Sequence, residues 1–331
     1  MDSIKSKRIY LLDNIKFLLI LSVVIGHFAE VGTGKSEIYK SIFLFIYTFH
    51  MPLFLFVSGM LHKNKNITQK VVMYVSLGFI SKIVIFVFRY IANGKASFNL
   101  LKDSYLPWYM FVMAMFICVS YLLRNTNKTF VLIVSVAIAC FVGYDSSIGD
   151  YLYLSRFFIF YPFYVMGEMA GTQAVINVNK NKLLKLASIL IIGVWLLLCF
   201  VKLDSFYVLR PLLTGRNSFA SNELFTVWGP AYRSFCYCIT CLVCFAIICL
   251  VPDKRLPVIS NSGTKTLQIY FWHWPITLML KKFGIQALLL ETAGGKLIWL
   301  VIAIALTLIL TIDIFSFPTK QIMKYSKQLK D

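Results

Sequence analysis

Apolar runs close to 20 residues long, divided by short polar segments, recur along the whole chain. A helix rising ~1.5 Å per residue needs roughly 20 such residues to cross a hydrocarbon core of ~30 Å. The pattern predicts ten spans, at about residues 10–30, 38–61, 71–92, 105–123, 129–144, 156–173, 183–202, 228–251, 265–284 and 296–317. The expected fold class is all-α: a polytopic integral membrane protein, a bundle of about ten transmembrane helices. Residues 1–331 form a single transmembrane domain in this reading, with no separate soluble domain and no internal repeat. The first run lacks a small-residue cleavage site behind it, so it reads as a retained helix and not a signal peptide.

Composition agrees. Hydrophobic residues make up 59% of the chain and charged residues 14%, with a mean hydropathy of +0.76. A soluble domain of this size cannot hide so much apolar surface. The net charge of +19 would suit a nucleic-acid binder only if it formed a basic face on a soluble domain. Here the cations sit between apolar runs, so no nucleic acid is expected and the charges report topology. Segments sharing a side with the N-terminus carry 18 Lys and Arg, against 12 on the other side. Both termini are therefore expected in the cytoplasm, with membrane lipids as the surroundings. Five of the eight cysteines fall in "CYCITCLVCFAIIC" (Cys236, Cys238, Cys241, Cys244, Cys249). Their spacing resembles metal ligands, but helical geometry sends them to different sides, so no metal site is expected.

A charge at bilayer depth costs several kcal/mol unless it pairs, faces a wet cavity or serves function. The first span holds Asp13, Lys16 and His27, with Glu30 after them and Arg8 before. Eleven residues separate Lys16 from His27, three turns plus about 20°, so both fall on one face about 16 Å apart. Asp13 is three residues from Lys16, and Glu30 three from His27, close enough to pair. A structural Asp13–Lys16 pair explains Lys16 as well as a functional role does. His27 lies among aliphatics and is the stronger functional candidate. His50 stands before Met51-Pro52, and His273 stands two residues before Pro275. A histidine satisfying the carbonyl that proline frees is as consistent there as catalysis. Lys82 and Arg89, seven residues apart on the third span, would hold an anionic substrate group or neutralise Glu168. His62 reads as interfacial. The longest loop, residues 203–227, mixes Arg, Asn, Ser and aromatics; sugar binding and an ordered cap over the bundle fit it equally.

Five stretches occur in one order across nearly the whole chain. They are R-x4-DNIK-x10-H (Arg8, Asp13, Asn14, Lys16, His27), "FHMPLFLFVSG" from Phe49 to Gly59 with His50, and "PWYM" with Trp108. The last two are "SRFFIFYPFYVMG" with Arg156, and "SGTKTLQIYFWHWPI" with Tyr270 and His273. In this the chain resembles the membrane-bound acyltransferase-3 family, in its fucose 4-O-acetylase-like branch. The resemblance implies a bundle of about ten helices that moves an acyl group, usually acetyl, from cytoplasmic acyl-CoA to a sugar hydroxyl. It implies acetyl-CoA as donor substrate, a cell-surface or lipid-linked glycan as acceptor, and residence in a bacterial cytoplasmic membrane. His27 matches the family's catalytic histidine and Lys16 its basic partner, where the family often has Arg. Lys63, Lys65 and Lys70 stand where the family often has an Arg-rich loop thought to meet the nucleotide phosphates.

A thioester is already activated, so the chemistry needs a base for the sugar hydroxyl and a stabilised oxyanion. A neutral imidazole suits the first task, with Glu30 fixing its tautomer. His27 carrying the acyl group itself is the other route. A transporter or flippase for a glycan or lipid-linked sugar is the alternative class, since these also use intramembrane His and Lys and Pro-interrupted helices. It should show paired broken helices in two matching halves, and the sequence shows none. The oligomeric state stays open, a dimer included.

Overall fold

The computed structural model describes residues 8–102, 106–216 and 218–329. Lys5, Lys7 and Lys330 of the topology count lie outside them. In chain order the helices are α1 (Tyr10–Gly32), α2 (Glu37–Met60), α3 (Ile67–Asn93), α4 (Trp108–Leu122), α5 (Lys128–Phe141) and α6 (Leu154–Met169). There follow α7 (Thr172–Lys180), α8 (Lys182–Val201), α9 (Leu203–Tyr207), α10 (Arg210–Leu213) and α11 (Glu223–Leu250). The last are α12 (Pro257–Ser262), α13 (Thr266–Lys282), α14 (Ile285–Leu290), α15 (Ala293–Ile309) and α16 (Thr319–Ser326). The described residues contain no strand, only an isolated bridge between Lys102 and Tyr151.

Each predicted run overlaps a helix, of 14 residues (α5) to 28 (α11). By length and composition α1, α2, α3, α8 and α11 are able to cross a membrane, while α4, α5 and α15 are shorter apolar helices. The ends follow local chemistry. Asn127, Asn181 and Asn222 cap α5, α8 and α11 with side-chain oxygens that accept from the first backbone N–H groups. The run predicted at 156–173 ends sooner: α6 stops at Met169 and α7 starts beyond Gly171. Helix α11 begins five residues before the predicted 228 and is bent at Trp228, two residues ahead of Pro230, which has no N–H to donate. The outward side chains of α8, among them Leu183, Leu186, Ile189, Leu190 and Leu197, are exposed. So continuous an apolar face suits hydrocarbon and not water.

Helices α1 and α2 form the centre. A turn at 33–36 joins them, and they pack on each other antiparallel. On its remaining sides α1 meets α12, α13 and α15, while α2 meets α6, α8 and α11. Glycine permits the closest of these crossings. A Cβ on Gly59 would sit 2.1 Å from the Tyr164 carbonyl oxygen, and one on Gly167 would sit 2.0 Å from that of Phe56. Helices α2 and α6 thus touch backbone to backbone at a small-residue contact, a packing suited to lipid, where no hydrophobic force draws helices together.

Candidate active site

The end of α1 opens onto a cavity of about 130 Å³ lined by His27, Glu30, Tyr47, His50, Trp108, Arg156, Arg210, Arg216 and Tyr270, among others. His27 and Glu30 lie one helical turn apart, so their side chains meet: Nδ1 of His27 is 3.4 Å from Oε2 of Glu30. That is ion-pair reach without hydrogen-bond geometry, and Nδ1 is buried with no hydrogen-bond partner. The same Glu30 oxygen accepts a hydrogen bond from the Tyr47 hydroxyl at 3.0 Å. Its other oxygen is 3.8 Å from the guanidinium of Arg210. Around the His27 ring stand His273, stacked at 5.5 Å between centroids, and Trp274, edge-on at 5.4 Å. The imidazole is thus held by α1, α2 and α13 together.

His50 and His273 share one local device. Nδ1 of His50 bonds the carbonyl of Ile46 at 2.8 Å, and Nδ1 of His273 bonds that of Ile269 at 3.0 Å. A carbonyl only accepts, so Nδ1 carries the proton and Nε2 carries the lone pair when the ring is neutral. The expectation that these histidines satisfy the carbonyls freed by proline is corrected here. Pro52 and Pro275 leave unbonded the carbonyls four residues earlier, those of Thr48 and Phe271. Each histidine instead bonds the carbonyl four residues before itself. His50 lines the cavity. Nε2 of His273 is buried without a hydrogen-bond partner.

The long segment after α8 folds as a cap. Short helices α9 and α10 and a 3-10 turn at Phe219–Ser221 turn its chain over the cavity, bringing Arg210, Pro211, Leu213, Thr214 and Arg216 to the lining. Buried Arg233 on α11 donates to the Leu212 carbonyl at 2.6 Å and so holds α10 in place. Arg216 grips Asp150 with two hydrogen bonds, at 3.2 and 2.7 Å. Arg156, at the start of α6, lies 3.4 Å from the same carboxylate and 4.8 Å from the centre of the Trp108 ring.

A family model described as an acyltransferase domain matches residues 9–316, nearly the whole chain. The chain belongs to the acyltransferase-3 family. No curated protein and no solved structure matches it. Domain and apolar helices together make it a membrane acyltransferase.

At the other end of α1 the acyltransferase is braced by its own motif. Asp13 pairs with Arg8 at 2.6 Å and with Lys16 at 2.8 Å. Arg8 also donates to the Ser260 carbonyl. Asn14 donates to the carbonyls of Pro252 and Lys254 and accepts from the Ser260 hydroxyl. Gly263 packs so closely that a Cβ there would lie 1.9 Å from the Asp13 carbonyl oxygen. The Asp-Asn pair therefore pins α1 to the loop and helix that follow α11. Because α1 and α2 are antiparallel, Lys63, Lys65 and Lys70 lie at this end, far from His27. Lys70 donates to the Lys63 carbonyl.

Two further expectations change. Lys82 and Arg89 do not neutralise Glu168 in the acyltransferase. Glu168 pairs with Lys128 at 2.7 Å and stands 4.0 Å from His62. Lys82 is buried and donates to the carbonyls of Asn99 and Lys102. Arg89 lines a separate cavity with Trp274, Lys281 and Gln286. His62, expected at the interface, keeps only 5% of its side chain exposed, and burial lowers its pKa. The clustered cysteines spread around α11, with Cys236, Cys244 and Cys249 buried and Cys238 exposed. Sequence reasoning did not single out the cavity groups Tyr47, Arg210 and Arg216, nor Asp150, which holds Arg216 from behind; the loop's unusual length pointed to Arg210 and Arg216.

Proposed function

We propose that this acyltransferase is an O-acetyltransferase of the fucose 4-O-acetylase-like branch. It moves acetyl from cytoplasmic acetyl-CoA to a hydroxyl of a cell-surface or lipid-linked glycan. It works as one transmembrane domain of ten spans in a bacterial cytoplasmic membrane, both termini inside. The observation that carries the reading is the His27–Glu30 pair on the wall of a cavity beneath the cap.

Glu30 takes the Nδ1 proton side of His27 and leaves the Nε2 lone pair for the substrate. The acceptor hydroxyl gives its proton to Nε2 as its oxygen bonds the thioester carbon. The carbonyl electrons move to oxygen, giving a tetrahedral intermediate. When they return, the carbon–sulfur bond breaks and the thiolate takes the proton from the imidazolium. A transient acyl-His27 would use the same nitrogen and is recognised by ping-pong kinetics. The roles of the other groups follow from position. Lys63, Lys65 and Lys70 meet the nucleotide at the inner end. Pantetheine runs alongside α1 past Lys16, about 16 Å short of His27. The acceptor enters from the side of the cap.

The test uses membranes that contain the protein, acetyl-CoA and a glycan acceptor. Free thiol of CoA should appear only when the acceptor is present, with acetyl on the glycan. A glycan that crosses the membrane without releasing thiol would replace this reading with a transporter.

A further inference from the structure

We infer that the cavity beside His27 contains an anion subsite built from Arg156 and Arg210, so that the acceptor presents a carboxylate or phosphate next to the hydroxyl that is acylated. The inference rests on the acyl-transfer reading and names the substrate class for it.

The charges around the cavity do not balance. Three guanidinium groups, those of Arg156, Arg210 and Arg216, line it. Two carboxylates answer them, Glu30 in the lining and Asp150 behind it. Both Asp150 oxygens already accept from Arg216. Arg156 has only a 3.4 Å ionic approach to Oδ1 of that occupied carboxylate. It is 3% exposed, and its NH1 is buried with no hydrogen-bond acceptor. Arg210 approaches Glu30 at 3.8 Å through NH2, while its Nε is buried with no acceptor. Glu30 is itself shared with Tyr47 and His27.

Arg156 is a buried guanidinium with an unspent donor, which is expensive in the resting protein; Arg210 is half-exposed, with its Nε shut away from solvent. The thioester oxyanion is an inadequate answer, because it is a single oxygen that carries charge only during the reaction, while two guanidinium groups each have a donor to spend. A permanent anion compensates the charge whenever it is bound. Guanidinium forks match carboxylate and phosphate oxygens in shape. Trp108 under Arg156 and Arg233 behind α10 hold the two forks in place.

The experiment measures binding to the detergent-purified full chain, with no turnover needed. The probes are D-glucuronate for a carboxylate, glucose 1-phosphate for a phosphate, and D-glucose as neutral control. One of the two anions should bind more tightly than glucose, and which one does identifies the group. Arg156→Gln should weaken that anion about tenfold or more. Arg210→Gln, at a half-exposed position, should weaken it too and gives the answer if Arg156→Gln does not fold. Binding of neither anion, equal binding of glucose, or unchanged binding by folded variants would overturn the subsite. These outcomes leave the acyl-transfer reading standing, because a neutral acceptor would still release CoA thiol. Conversely, anion binding without thiol release would sink acyl transfer alone.

Discussion

Arg210 reaches to within 3.8 Å of Glu30, tying the cap after α8 to the last turns of α1 across 180 positions of sequence. Through Glu30 the cap touches the environment of His27. The pair is partly exposed, with 41% and 32% of the two side chains accessible, so its weight falls on organising the cavity and not on stability. Pairs this exposed contribute ~1 kcal/mol or less. Arg210→Ala should therefore leave the melting temperature nearly unchanged while lowering kcat/KM for acyl transfer by roughly tenfold. A variant that melts early would show that the pair carries stability after all, and one with wild-type kinetics would show that it does not organise the cavity.

Glu30→Gln keeps the shape of the side chain and removes its charge. If Glu30 orients His27 and stabilises the imidazolium, kcat should fall by roughly a hundredfold with KM for the acceptor little changed. Tyr47→Phe removes one hydrogen bond to that carboxylate and should act in the same direction, less strongly. Steady-state kinetics on the two variants checks the order.

Asn14 separates architecture from chemistry. It exchanges three hydrogen bonds with the loop and helix after α11. Buried partners left unsatisfied cost about 1 kcal/mol or more each. Asn14→Ala should lower thermal stability in detergent measurably, while the fraction that stays folded transfers acyl groups at the normal rate. Loss of rate in well-folded Asn14→Ala protein would move this residue into the chemistry.

The crossing of α2 and α6 admits no side chain at Gly59, where a Cβ would meet the Tyr164 carbonyl oxygen at 2.1 Å. Gly59→Leu forces the two backbones apart and should cost more than ~4 kcal/mol, so little folded protein reaches the membrane. Gly34, with open space around it, is the control: Gly34→Ala should express normally. Fluorescence-detected size-exclusion chromatography of both variants reads the difference.

Much of this arrangement was legible in the sequence because it is local or periodic. Apolar runs mark helices, so each of the ten predicted runs meets one, and five of these helices are long and apolar enough to cross a membrane. The pairings of Asp13 with Lys16 and of Glu30 with His27 follow from three-residue spacing on a helix that stays unbroken. What was not legible is long-range and aperiodic. No spacing rule connects Arg210 to Glu30, or Arg216 to Asp150, because the cap is a set of short turns. Charge alone offers Lys82 and Arg89 two answers, an anionic substrate group or Glu168. In the fold, backbone carbonyls of Asn99 and Lys102 satisfy Lys82, and Lys128 from a helix packed alongside reaches Glu168 first. For the histidines before Pro52 and Pro275, the proline-freed carbonyl is one of two readings, yet each bonds the carbonyl four residues before itself, on its own helix face.

The central claim is that the Nε2 of His27 takes the proton of the acceptor hydroxyl. The direct measurement is acetyl transfer from acetyl-CoA to glycan by purified wild-type and His27→Ala proteins with matched melting temperatures. The account predicts a loss of kcat of roughly 10²–10⁴-fold in the variant, with binding of both substrates retained. Undiminished transfer by folded His27→Ala protein would contradict it.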